Sequence, residues 1–262
     1  MFSSDEVTGR GPLFPKELPV DFTRIPAGPV AEDLVAWWWI STWSFAPGQK
    51  SAQEVLAFPS SNLVFEDDGV RFWGPTTMRS TRILEGRGWV IGGLLRPAAV
   101  PSFTDQPAAW RDGCLPVAAP ALHAKVRASV LNLADAIDSI EVWLADRAGP
   151  LADEARQANL LADLAIANSG INTVPELADA VGVSVRTIHR LTTKYVGLSP
   201  YTMLRRRRLQ EAVAWTRENH DEALADIAAR FGFTDQAHFS REARSMLGLS
   251  LTDYRRRVGW GT

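Results

Sequence analysis

Apolar positions in the first half of the chain come in short runs. Leu34–Ile40, Glu54–Phe58, Asn62–Phe65, Val70–Trp73 and Gly88–Leu95 are separated by Pro47-Gly48, Pro59, Asp67-Asp68-Gly69 and Gly74-Pro75. Brief apolar stretches cut by turn residues predict strands, so residues about 20 to 115 read as a small barrel or sandwich. From Ala121 the period changes. Val126, Val130, Leu133, Ile137, Ile140 and Leu144 follow steps of four and three, which places them on one narrow stripe of a helix. Such a stripe suits helix pairing, either between two copies of the chain in a homodimer or against the chain's own β domain. Gly149-Pro150 ends this helix, and a second one, about Asp153 to Asn168, runs to the stop signal Asn168-Ser169-Gly170.

The last ninety residues carry sharper punctuation. Thr173-Val174-Pro175-Glu176 is a capping box, in which the threonine hydroxyl accepts from a free backbone N–H and the glutamate reaches back. A helix therefore starts here and stops at Gly182, after which Ser184 caps a new helix, Val185 to Val196. Leu177, Val181, Val183, Ile188 and Leu191 can supply the small core of this helix-turn-helix, and Ala178 allows close approach. The opposite face of the second helix carries Arg186, His189, Arg190, Thr193 and Lys194. A polar, basic helix face of this kind can enter a major groove and offer donors to base edges and phosphates.

The pattern is written twice. Ile227-Ala228-Ala229-Arg230-Phe231-Gly232-Phe233 repeats Leu177-Ala178-Asp179-Ala180-Val181-Gly182-Val183, and Thr234-Asp235 supplies a second cap. The helix that follows, about Gln236 to Leu247, presents Gln236, His238, Ser240 and Arg241. Gly197-Leu198-Ser199-Pro200, with arginines at 205–208, answers Gly248-Leu249-Ser250-Leu251 with Arg255-Arg256-Arg257. Solenoid arrays need at least three copies to bury a core, and here there are two. Between them Ser199 caps a long helix through Asn219 that can hold the units at fixed separation.

Residues from about 153 to 258 resemble the DNA-binding domain of AraC/XylS-type regulators. The match rests on Ile227-Ala228, Gly232-Phe233, Phe239, Arg241, Gly248 and Tyr254-Arg255; Ala243 and Leu251 replace that family's usual Phe and Pro, and Thr192 a usual Phe. The resemblance implies base and groove contacts from Arg186, His189, Arg190 and Thr193 in the first unit. In the second it implies Gln236, Ala237, His238, Ser240 and Arg241. Arg206, in the arginine run outside either reading helix, suits a phosphate contact. The N-terminal part is similar to cupin-like effector domains through Trp43, Phe58-Pro59, Asn62-Leu63-Val64-Phe65, Gly74-Pro75 and Gly92-Gly93. The expected fold is α+β: a β-rich cupin-like barrel (1–118), a helical linker with the dimerisation stripe (119–150), and an all-α domain with two helix-turn-helix units (151–262). Implied partners are double-stranded promoter DNA, a small organic effector, a second copy of the chain and RNA polymerase.

Composition narrows the alternatives. At 262 residues, 46% hydrophobic and 22% charged, the chain has room for two globular domains. Its net charge of −2 hides a split: residues 1–170 hold 14 Lys+Arg against 20 Asp+Glu, and residues 171–262 hold 14 against 10. An acidic half joined to a basic half is expected where one domain faces phosphates. Trp37, Trp38, Trp39, Trp43, Trp73, Trp89 and Trp110 crowd the first half, either lining a ligand pocket or filling a small β core. His123, His189, His220 and His238 all lie outside residues 20–115, which speaks against a cupin metal site, and no cofactor is expected. Cys114 is the single cysteine; with no histidine beside it in sequence, it reads as a spectator thiol and not as a nucleophile. No Gly-rich phosphate loop supports nucleotide hydrolysis, so an enzyme is not expected. The polar N-terminus and the short, broken run Leu34–Gln49 predict neither signal peptide nor membrane helix, with the cytoplasm as the default location.

Overall fold

The computed structural model describes residues 20–55, 59–130, 132–167 and 169–259. Among the described residues eight strands occupy the first part: β1 (Asp21–Pro26), β2 (Val35–Ser44), β3 (Lys50–Val55), β4 (Asn62–Glu66), β5 (Gly69–Trp73), β6 (Ser80–Glu85), β7 (Arg87–Leu95) and β8 (Cys114–Pro116). Six form an antiparallel sheet in the order β1-β2-β7-β4-β5-β8, while β3 and β6 pair into a separate two-stranded ribbon. Among the described residues the β-rich region expected as a small barrel or sandwich is thus a six-stranded sheet with a two-stranded ribbon beside it. The strand expected at Glu54–Phe58 begins earlier, at Lys50, and its residues 56–58 lie outside the described residues, as do Asn168 and residues 1–19.

The period-2 alternation of β2, β4 and β7 sorts their side chains between two faces. Trp38, Ile40, Leu63, Phe65, Ile91 and Leu95 enter one buried core. Trp38 is fully buried and packs over Gly93, where any Cβ would meet its ring. On the other face Trp39 lies across Gly92, Trp43 lies across Gly88, and the Trp39 indole N–H donates to Asn62 Oδ1 at 3.1 Å. The ribbon is tied to the sheet by Glu66, whose carboxylate receives Arg82 from β6 and Arg71 at 3.0 Å.

The expected single helix after Ala121 is two: α1 (Pro120–Ala128) and α2 (Leu133–Ala148). Ser129 and Asn132 break it, because short polar side chains compete with helical backbone bonds. The Asn132 amide donates to Ser129 O at 2.8 Å and its side chain to Asp135 Oδ2 at 2.7 Å. The stripe expected as a dimer seam faces inward. Val126, Ile137, Ile140 and Leu144 are buried in the same core as the sheet, Leu133 packs against that core, and Val130 is half-buried. Glu141 on α2 is buried too, accepting from the Trp38 indole at 2.7 Å and Gly28 N at 2.8 Å. The 119–150 segment is thus part of the β domain's packing, which uses its apolar face before a second chain could.

Helices α3 (Asp153–Ala167), α4 (Val174–Val181), α5 (Val185–Tyr195), α6 (Pro200–Glu218), α7 (Leu224–Arg230), α8 (Gln236–Leu247) and α9 (Leu251–Gly259) complete the chain. The main core runs from the sheet through α1 to α3 and the 3₁₀ turn at 97–102 into the first helix-turn-helix, taking in Leu177, Ile188 and Leu191. The second unit has its own core, built from Leu209 and Val213 of α6 with Ile227, Phe239, Ala243, Leu247 and Tyr254.

Candidate nucleic-acid interface

The first unit is built as its caps dictate. Thr173 Oγ1 accepts from Glu176 N at 3.3 Å, and the Glu176 carboxylate accepts from Thr173 N at 3.1 Å and Asn172 N at 2.7 Å. Those backbone donors hold the Glu176 carboxyl below its ordinary range. Gly182, at φ 77°, takes the left-handed conformation that ends α4, and Ser184 accepts from Thr187 N at 3.1 Å to start α5. In the second unit Gly232, at φ 67°, makes the turn and Asp235 accepts from His238 N at 2.6 Å to start α8.

The second turn is one residue longer, Ser184 corresponding to Asp235, so beyond the caps the units match at an offset of 51. Ile188 and Phe239 are both fully buried, Thr192 and Ala243 both sit in the core, and Gly197 and Gly248 both follow their reading helices. The replacements at Thr192, Ala243 and Leu251 are all accommodated inside, with exposures of 2% or less.

On α5, Arg186, His189, Arg190, Thr193 and Lys194 are all exposed. Among the described residues Arg186, His189 and Thr193 make no side-chain hydrogen bond or ion pair. Arg190 and Lys194 are different: both bind Glu154 in the first turn of α3, Arg190 Nη1 on one carboxylate oxygen and Lys194 Nζ on the other at 2.7 Å. Hydrogen bonds from Lys194 and Arg190 pull the Glu154 carboxyl down to about 2.

On α8, Gln236, Ala237 and Arg241 are exposed and Ser240 is half-buried. His238 departs from the expectation. Its Nδ1 receives the Thr234 N–H at 3.4 Å, its Nε2 bonds Glu242 Oε1 at 2.8 Å, and its ring packs edge-on to Phe233. With both nitrogens engaged and the ring half-buried, it braces the unit internally. Burial pushes the Glu242 carboxyl up, but hydrogen bonds from Arg205 and His238 outweigh it and leave the group below its usual range. Reading the duplication at one fixed offset hides Arg244, which is exposed one turn beyond Arg241 and is the counterpart of Thr193.

The arginine run also departs from the sequence reading. Arg206 donates to the Thr77 backbone carbonyl of the β5–β6 connection, and burial lowers the pKa of its guanidinium. It is thereby spent within the chain and not held out to a phosphate. Arg207 is buried and donates to Ile171 O at 2.6 Å and Asn172 Oδ1 at 3.1 Å, Arg208 lies over the Phe233 ring, and Arg205 binds Glu242.

Two loops of the β domain meet the helical part. Arg111 donates to Gly197 O at 3.1 Å, and a Cβ on Gly197 would sit 2.6 Å from the Pro107 backbone carbon. Arg79 crosses Gly248, the equivalent glycine of the second unit. The loops are joined by Asp112, at φ 58°, whose carboxylate accepts from Thr77 N and Oγ1, both at 2.5 Å, and Met78 N at 3.1 Å.

No helix of the described residues is long and apolar enough to cross a membrane, and among them no group of three or more His, Cys, Asp or Glu is placed to hold a metal. Cys114 is half-buried in β8, opposite Trp73.

Residues 177–257 match a helix-turn-helix domain family, and residues 23–116 match a domain of unknown function (DUF6597). Over 64 residues the chain is 44% identical to the HTH-type transcriptional activator RhaS of Enterobacter sp. (strain 638), covering 24% of this chain and 23% of that protein. Over 79 residues it is 40% identical to RhaS of Citrobacter koseri, covering 30% and 28%. The matched region thus spans about a quarter of the length of these curated relatives. Among solved structures, an AraC-type transcriptional regulator from Chromobacterium violaceum aligns over 42% of this chain and 96% of its own at 23% identity and TM-score 0.35. ToxT from Vibrio cholerae O395 aligns over 93% and 98% at 9% identity and TM-score 0.40.

Proposed function

We propose that the chain is a sequence-specific DNA-binding transcription regulator of the AraC/XylS type, acting through the helix-turn-helix domain that residues 177–257 match. The observation that carries the reading is a pair of reading helices, α5 and α8, each started by a side-chain cap after a glycine turn and each bearing an exposed arginine at the same register, Arg190 and Arg241. Arginine to guanine O6 and N7 is the commonest specific major-groove contact. Arg186, His189, Arg190, Thr193 and Lys194 on α5, and Gln236, Ala237, Ser240, Arg241 and Arg244 on α8, form the proposed reading set. Helix α6 joins the units, so one chain covers two successive major-groove segments about 34 Å apart.

A small organic effector is the proposed ligand of the β domain, supported by the indoles of Trp39 and Trp43 on the sheet face away from the main core. The protein acts as a regulator and not as an enzyme, in the cytoplasm where its DNA lies. A homodimer would use a surface other than the α1–α2 stripe, and contact with RNA polymerase belongs to the same reading.

Gel-shift and footprinting with promoter fragments and random duplex, across a salt series, test the proposal. Expected are protection of two patches one helical turn apart and preference for particular fragments. Equal, weak binding to all duplexes with no salt dependence would overturn it, because phosphate contacts release counterions.

A further inference from the structure

Two reading helices that share one register differ in how their arginines are held. In the second unit Arg241 makes no ion pair among the described residues, and the acid that faces its supporting helix α6 is Glu242, on the reading helix itself, bound by Arg205. In the first unit the polarity is reversed: the acid is on the supporting helix α3, and the bases are on the reading helix. Glu154 divides its two oxygens between Arg190 and Lys194, one turn apart on α5, and its carboxylate sits at the favourable N-terminal end of α3.

We propose that Glu154 is a positioning residue for DNA reading: it buttresses Arg190 toward base edges and keeps both Arg190 and Lys194 from serving as general phosphate anchors. The inference rests on the proposed function. A guanidinium has five N–H donors, and Glu154 takes Nη1 alone, leaving donors for the bidentate pairing that guanine requires. A guanidinium already facing a carboxylate gains little from a phosphate, which would have to displace that carboxylate or approach it against like-charge repulsion. The first unit therefore contributes sequence preference with Arg186 alone as an unpaired cation on α5 among the described residues, while α8, with Arg241 and Arg244 unpaired there, supplies more of the sequence-independent attraction.

Glu154→Gln keeps the shape and removes the charge. Binding of random duplex and of a selected site is measured across salt for the full-length wild type and variant, with base-by-base preference at both patches. For random duplex the variant's log affinity against log salt steepens by about two units, one for each released cation. At the first patch, preference falls about tenfold; at the second it is unchanged. Arg190→Gln and the Glu154→Gln/Arg190→Gln double variant close the cycle, and once Arg190 is absent the Glu154 change no longer alters preference.

A wild type without sequence preference would refute the functional reading itself. A wild type with preference whose Glu154→Gln variant keeps its salt slope and its first-patch preference, whatever its melting temperature, would overturn this inference alone. Should Glu154→Gln not fold, Glu154→Asp and Glu154→Ala decide: the former retains the wild-type slope, and the latter steepens it and lowers first-patch preference. The reverse in either variant counts against the buttress.

Discussion

Arg206 and Arg241 are arginines of one helical domain with opposite surroundings, and a substitution at each reads out a different quantity. Arg206 ends on the Thr77 carbonyl of the β domain, so Arg206→Ala removes a charged hydrogen bond and should lower unfolding stability by roughly 1–3 kcal/mol in denaturant titration. Its random-DNA salt slope should stay at the wild-type value; a slope flatter by about one unit would instead restore Arg206 as a phosphate contact. Arg241 is exposed and unpaired among the described residues, so Arg241→Ala should leave stability within about 0.5 kcal/mol while removing roughly 1–3 kcal/mol of discrimination at one patch. Glu242 lets pH be used. Its carboxyl lies below the unfolded value of about 4.3, so its stabilisation is complete above that pH and is lost as pH falls through the lower folded value. Melting curves from pH 6 downward should therefore show Glu242→Gln less stable than wild type at the neutral end and converging with it in acid. Parallel curves would mean that the Arg205–Glu242–His238 cluster does not titrate with folding.

At the scale of elements, local rules were legible wherever the chemistry is local. The capping box at Thr173, the glycine turns at Gly182 and Gly232, and the caps at Ser184, Ser199 and Asp235 depend on neighbours three residues away, and each helix starts where they say. β5, with one buried face, declared itself by alternation, and β4, buried on both, by the short apolar run Leu63-Val64-Phe65. β6 did not, because five of its six residues are exposed and Leu84 alone is buried. Glu154 was not legible as part of the site, being 36 and 40 residues from its partners with no periodicity joining them. The α1–α2 stripe was visible as an apolar face, but a repeat of this kind looks the same whether the surface opposite is a second chain or the chain's own sheet. The structure separates these by burial, and a measurement can too. Ile140 is fully buried, so Ile140→Ala should cost about 2–5 kcal/mol without changing the mass in solution. Ile137→Asp/Ile140→Asp should unfold the chain, since it buries two unpaired charges. A folded doubly substituted protein that merely loses a partner, seen by light scattering, would return the stripe to a dimer seam.

The whole molecule joins its two halves at equivalent corners. Gly197 and Gly248 close the two reading helices, and each meets one of two β-domain loops that Asp112 holds together. A platform touching both units at the same point of their folds can fix how far apart they stand, adding to the spacing set by α6. The corners differ in what they touch, and that difference is measurable. Both glycines have positive φ, 80° and 75°, so an alanine at either carries the left-handed penalty of roughly 1–2 kcal/mol. At Gly248 the atoms nearest the new methyl are the outer ones of the Arg79 side chain, a flexible group and not backbone. At Gly197 it meets the backbone of Pro107 and Ala108, at 2.6 and 2.7 Å, which can move only if the loop carrying Arg111 moves with it. Gly197→Ala should therefore be the more destabilising of the two by at least about 1 kcal/mol, the scale of strain from overpacking. Its footprint should show the first patch weakened relative to the second, because the loop that seats α5 has shifted. Equal losses for the two alanines in denaturant titration would mean that the platform yields freely and that α6 alone sets the spacing of the reading helices.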